Sequence, residues 1–170
     1  MKTIIISVIV LLNIILEATL FQFLRIADVK PDFIIIMIIA YAILEGGAYS
    51  AVIGLASGLL IDILFGRVLG VNAFSYMITG YLFGQAHDNV FRDSILPPAL
   101  FNFATVIIYQ HLYFFLMYMT GNLLHEGFSY MHILLGMIIP QSLYNTILGA
   151  IMYRFYLHLS EKDFMQRRLY

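Results

Sequence analysis

The chain contains no cysteine. That excludes disulfide bridges, thiolate nucleophiles, cysteine-based metal sites and palmitoylation. Charge is also scarce: 11% of the 170 residues are Asp, Glu, Lys or Arg, against about 25% in an ordinary soluble domain. Neither sign dominates, and the net charge is −1 at pH 7. Without a basic field the chain has little to offer a phosphate backbone, so no nucleic acid is expected as a partner. Familiar catalytic spacings are missing too: the sequence holds no HExxH, GxSxG, P-loop or GxGxxG. Its five histidines, His87, His111, His125, His132 and His158, are scattered. No catalytic residue, metal ligand or cofactor is assigned, and the chain reads as a non-enzyme.

What is present is apolar length. Hydrophobic residues make up 62% of the sequence, and mean hydropathy is +0.90. A soluble domain of this size cannot hide so much apolar surface, because a core grows more slowly than its chain. Lipid is then the main solvent, and the expected class is an all-α integral membrane protein. A spanning helix needs about 20 apolar residues at ~1.5 Å each. The sequence predicts a six-transmembrane-helix bundle in one domain, 1–170, with helices at about 3–24, 31–44, 47–65, 69–85, 95–120 and 131–157. A barrel is excluded because runs such as FIIIMIIA (33–40) do not alternate.

Several local signals mark the helices. Lys2 and the apolar run to Leu16 imitate a signal peptide, but Glu17 stands where a small-x-small cleavage site belongs, so a retained first span is expected. The second helix is short, rising only about 21 Å against a hydrocarbon core of ~30 Å. Pro31 suits its first position, and Asp32 suits the positive end of its dipole. Glu45-Gly46-Gly47 reads as a tight turn, and Pro97 and Pro98 fit the first turn of the fifth helix. Pro140, inside the sixth, is expected to kink it. Basic residues orient the bundle. Lys2, Arg92, Arg154, Lys162, Arg167 and Arg168 fall on one side, and Arg25, Lys30 and Arg67 on the other. Both termini are therefore expected in the cytoplasm, where the basic tail also meets anionic lipid heads.

Polar and small residues recur at helical spacing. Ser50, Gly54, Gly58 and Asp62 step by four along the third helix, and Asn72, Tyr76, Gly80 and Gly84 along the fourth. Asn13 and Glu17 share a face of the first, Asn102 and Gln110 lie on the fifth, and Gln141, Asn145 and Gly149 on the sixth. Ser50, Gly54, Gly58, Gly80 and Gly84 form a close-packing stripe that serves either helix packing within the chain or a partner interface. Glu17, Asp32, Asp62, Arg67 and Asn72, with Arg25 and Lys30 at the same level, form an outer polar cluster. It reads as structural ion pairs and caps, as a ligand or lipid-head pocket, or as a proton or ion path. His111 beside Gln110 reads as a hydrogen-bonded interior pair. Arg92 between Asp88 and Asp93 reads as a solvated turn.

One stretch is more specific. Pro31-Asp32, then Gly54-Leu-Ala-Ser-Gly58-Leu-Leu-Ile-Asp62-Ile-Leu-Phe-Gly66, Leu69-Gly70, Ala73 and Gly80-Tyr-Leu-Phe-Gly84 resemble the rod-shape-determining protein MreD family. The resemblance implies a scaffold in the bacterial cytoplasmic membrane that binds the single-span protein MreC. It also implies indirect partners: MreB filaments, a RodA-type polymerase and its transpeptidase. By the same resemblance the architecture is expected to be like the S-component fold of energy-coupling-factor transporters. Two other functions fit the residues: a substrate-binding S-component of a vitamin transporter, and a small ion-coupled transporter using Glu17 and Asp62. Against the first, Ala18 is the sole alanine of the first helix, which leaves no Ala-x-x-x-Ala docking pattern.

The charge asymmetry makes a direct prediction. Reporter fusions should place residues 1–2, 86–94 and 160–170 in the cytoplasm. Labelling of the C-terminal tail from outside the cell would overturn the six-span topology.

Overall fold

A computed structural model describes residues 2–19, 23, 25, 29–122 and 130–162, with the side chains of Lys2 and Thr3 left aside. The expected extension of the first helix to Leu24, His125, Arg167 and Arg168 all fall outside the described residues. Within these, the chain is all-helical, with six helices and no strand. They are α1 Lys2–Thr19, α2 Phe33–Glu45, α3 Gly47–Phe65, α4 Val71–Gly84, α5 Leu96–Met119 and α6 Tyr130–Ser160. A single 3-10 turn, His87–Asn89, lies between α4 and α5. Three helices, α3, α5 and α6, are long and apolar enough to cross a membrane. Their outward faces carry large apolar side chains, including Ile63, Ile147 and Ile151, each more than 60% exposed.

Helix α2 is the centre of the molecule. Every residue from Phe33 to Leu44 is buried, as expected for a helix that is apolar all round. All five other helices pack against it. Its start differs from the sequence expectation by two residues. Pro31 lies outside the helix, and Asp32 is the N-cap, its Oδ1 accepting the Ile35 N–H at 2.9 Å. The far end closes at Gly46, where φ of 89° lets the chain turn directly into α3. There the ring Nδ1 of His87 lies 2.7 Å from the Ile43 carbonyl, and Arg92 Nη2 lies 2.9 Å from Nε2. A guanidinium only donates, so Nε2 is the acceptor and Nδ1 carries the proton that caps α2. Arg92 is thus more than a solvated turn: its carbonyl also accepts the Tyr153 hydroxyl at 2.9 Å.

Helices α3 and α4 form the tightest pair. A Cβ placed on Gly54 would sit 2.5 Å from the Tyr76 carbonyl, and one on Gly80 2.9 Å from the Ser50 carbonyl. A Cβ on Gly58 would overlap the Ala73 backbone, and one on Gly84 the backbone of Gly47. The Ser50 hydroxyl donates across this seam to the Gly80 carbonyl at 2.7 Å. The small-residue stripe is therefore filled by this chain's own helices.

Pro140 is accommodated by a change of helix type. The turn before it, Leu134–Ile138, is π-helical, and the Ile139 N–H reaches back to the Leu134 carbonyl. A wider turn just upstream leaves room for a ring that would otherwise press on the carbonyl four residues back.

The backbone contact at Gly58 makes the next prediction. Gly58→Leu places bulk against Ala73 main chain, which no rotamer relieves, and overpacking of this kind costs about 1–3 kcal/mol or more. The variant should show a lower melting temperature in detergent and a lower membrane yield. Wild-type values for both would mean that α3 and α4 do not pack along this stripe.

Candidate functional site

The polar groups gather at one end of the bundle, where α1 and α3 finish and α2 and α4 begin. Asp62, 2% exposed, points from the last turn of α3 across to the start of α4. Its Oδ2 accepts the Gly70 and Ala73 N–H groups at 2.9 and 3.1 Å. Its Oδ1 accepts the Asn72 N–H at 3.2 Å and the Asn72 side-chain amide at 2.7 Å. The first turn of any helix leaves its N–H groups without internal partners, and here a carboxylate from the neighbouring helix supplies the acceptors.

Asp32 does the same for α2 and extends the network. Its Oδ2 accepts the Tyr76 hydroxyl at 2.8 Å. Its backbone N–H and carbonyl both bond to the Asn145 amide of α6, at 2.9 and 3.1 Å. The Tyr109 hydroxyl donates to Asn72 Oδ1 at 2.5 Å, and its ring stacks on Tyr76 with centroids 4.6 Å apart. Gln110 donates to Gln141 at 2.6 Å, and Gln141 donates to the Lys30 carbonyl at 3.2 Å. On α1, Glu17 Oε1 pairs with Lys30 Nζ at 3.1 Å, while Asn13 donates to the Tyr156 hydroxyl at 3.2 Å.

Part of this network borders a cavity of about 410 Å³, whose wall includes Glu17, Lys30, Asp32, Asn72, Tyr76, Tyr109, Gln110 and Gln141 but not Asp62 or Asn145. That size lies within the range of small-molecule sites, roughly 300–1,000 Å³. The arrangement can hold a polar or charged group away from lipid. Among the described residues no three His, Asp or Glu side chains gather as metal ligands.

Four residues of the expected cluster, Glu17, Asp32, Asp62 and Asn72, meet at this end. Arg67 does not join them: it is exposed, and Asp62 is held by backbone and amide donors instead. A carboxylate at a helix start already has N–H partners in hand, so it needs no distant arginine. His111 also departs from expectation. It sits on the exposed side of α5, bonded to the Ile107 carbonyl and the Tyr130 hydroxyl, while Gln110 turns inward. Consecutive helix residues point about 100° apart, which separates the pair. Tyr109 does not stand out in the sequence. Its one signal is its place beside Gln110, on the face that also carries Asn102 and Val106.

An all-helical bundle with spanning-length apolar helices and a polar interior at one end is a small helical membrane protein. Comparison with known families makes this specific: the family described as rod shape-determining protein MreD matches residues 1–162, and the chain belongs to that family. It is a family of shape-determining structural proteins and not a known enzyme family. No curated protein and no solved structure matches the chain.

The Asp62 geometry predicts a selective effect. Asp62→Ala strips four donors, three of them in buried hydrogen bonds, of their acceptor and should cost about 2–4 kcal/mol. Arg67→Ala should stay within about 0.5 kcal/mol of wild type. Thermal melts in detergent compare the two. Equal destabilisation by both would restore Arg67 to the cluster.

Proposed function

We propose that this chain is a non-enzymatic scaffold of the bacterial rod-shape complex. It sits multi-pass in the cytoplasmic membrane with both termini inside, holds the single-span protein MreC, and so supports peptidoglycan synthesis by a RodA-type polymerase and its transpeptidase along MreB filaments. Family membership supports the cell-shape role.

One observation carries the docking part. An apolar groove of about 280 Å³ runs between α1 and α3, bordered by Ile6, Ser7, Val10 and Leu11 on one side and Tyr49, Val52, Ile53, Ala56 and Leu60 on the other. It offers small side chains, Ser7 and Ala56, between larger ones. That relief suits a single apolar helix, because helices in lipid associate through close packing and not through hydrophobic burial. The glycine stripe of α3 and α4 is occupied within the chain, so a partner helix would meet α3 on another face, and this groove is a shaped one.

Ala56→Trp fills the groove from its exposed edge. Co-purification with MreC should fall by about tenfold or more, the effect of ~1.4 kcal/mol, while the melting temperature stays near wild type. Ile147→Trp, on the lipid-facing side of α6, should leave co-purification intact. Loss of MreC from the Ile147 variant alone would move the docking face to α6.

A further inference from the structure

The polar cavity holds a group that the network leaves unanswered. Glu17 is 7% exposed, and its side chain lines the cavity wall. Oε1 is taken by Lys30, but Oε2 is buried and has no hydrogen-bond partner. A buried carboxylate oxygen left without a donor is costly. The other carboxylate on the wall is already satisfied, since Asp32 Oδ1 and Oδ2 accept from Ile35 and Tyr76. Glu17 and Asp32 thus share the cavity wall with the single ammonium of Lys30, and the vacant acceptor there is Glu17 Oε2. A cation carrying N–H groups would answer both the charge and the missing donor.

The rim narrows the ligand further. Phe65 and Met137 also border the cavity and are 60% and 43% exposed on the apolar outside of the bundle. Lys30 is the partly exposed member of its ion pair, with 40% of its side chain accessible. A ligand with an ammonium at Glu17, an anionic group beside Lys30 and an apolar portion past Phe65 and Met137 matches all three features. We propose that this cavity is a binding site for the primary ammonium of a zwitterionic headgroup, of the phosphoethanolamine kind. The donor to Glu17 Oε2 is an ammonium N–H, and Lys30 faces the phosphate. This site is separate from the groove proposed for MreC: the two border the same face of α1 at different heights, the groove at Ile6–Leu11 and the cavity at Ile14, Glu17 and Ala18.

The test uses the full-length chain in nanodiscs of equal parts phosphatidylethanolamine, phosphatidylglycerol and phosphatidylcholine, followed by native mass spectrometry. One phosphatidylethanolamine should stay bound per chain, favoured over the other two by about tenfold or more. Phosphatidylcholine has the charge but no N–H to donate. Glu17→Gln should reduce phosphatidylethanolamine to the level of phosphatidylglycerol. Met137→Trp, which narrows the mouth without touching the ion pair, should also reduce it, and serves if the Glu17 variant does not fold. A second arm adds excess O-phosphoethanolamine to ethanolamine-free nanodiscs. A raised melting temperature, lost in Glu17→Gln, identifies the free solute as a ligand; retention of the lipid alone identifies the membrane as the source. Equal retention of all three lipids, retention unchanged in both variants, or neither retention nor a melting shift overturns the proposal.

Discussion

A helix that begins inside an apolar medium must find acceptors for its first N–H groups without water. Much of this fold follows from that constraint. Helices α2 and α4 have 13 and 14 residues, and at ~1.5 Å per residue neither crosses a ~30 Å hydrocarbon core. Their starts need partners from the protein itself, since an unsatisfied backbone group in lipid costs several kcal/mol. Asp32 supplies them for α2 from its own N-cap, and Asp62 supplies them for α4 from the end of α3. Each carboxylate is then tied onward, Asp32 to Tyr76 and Asp62 to Asn72. Two caps thereby connect α2, α3, α4 and, through Tyr109, α5.

Packing completes what the caps begin. Because Asp62 draws the start of α4 to the end of α3, the two helices run side by side from that point. Gly54, Gly58, Gly80 and Gly84 let their backbones touch along the seam. Helix α2 is enclosed by the others, and its buried aliphatic residues form most of the core. The resulting body is closely packed at the centre and apolar on the outside. The α1–α3 groove and the cavity beside Glu17 lie at the edge of this core: Ile6, Val10 and Ile53 border the groove, and Ile14, Tyr76 and Tyr109 border the cavity.

Much of this is legible in the residues. Helices 47–65 and 95–120 can be read to within a residue at each end, because Gly46, Gly66, Pro97 and Pro98 punctuate them. The aspartates at 32 and 62 stand out as charges in an apolar chain. Less legible is what answers them. The expectation of Arg67 follows charge pairing, whereas the structure uses backbone N–H groups, which carry no sequence signal. Asn145 can be seen as a polar position on α6, but its bond to Asp32 spans 113 residues, a distance that periodicity does not bridge. Tyr109 is hidden because a tyrosine among Val, Ile, Phe and Leu looks like any other large side chain. The same limit explains α2: fourteen residues, nearly all apolar, read as a short span, and only the neighbouring helices show that protein surrounds it.

The chain contains no tryptophan, so one introduced tryptophan reports its own surroundings. The most direct test of a protein-enclosed α2 is quenching of such a probe by lipids with brominated acyl chains. Tyr41→Trp, at a position 1% exposed, should be quenched weakly, and Phe155→Trp, at one 58% exposed, strongly. Quenching of the Tyr41 variant as strong as that of the Phe155 variant would put α2 against lipid and contradict the fold's central feature.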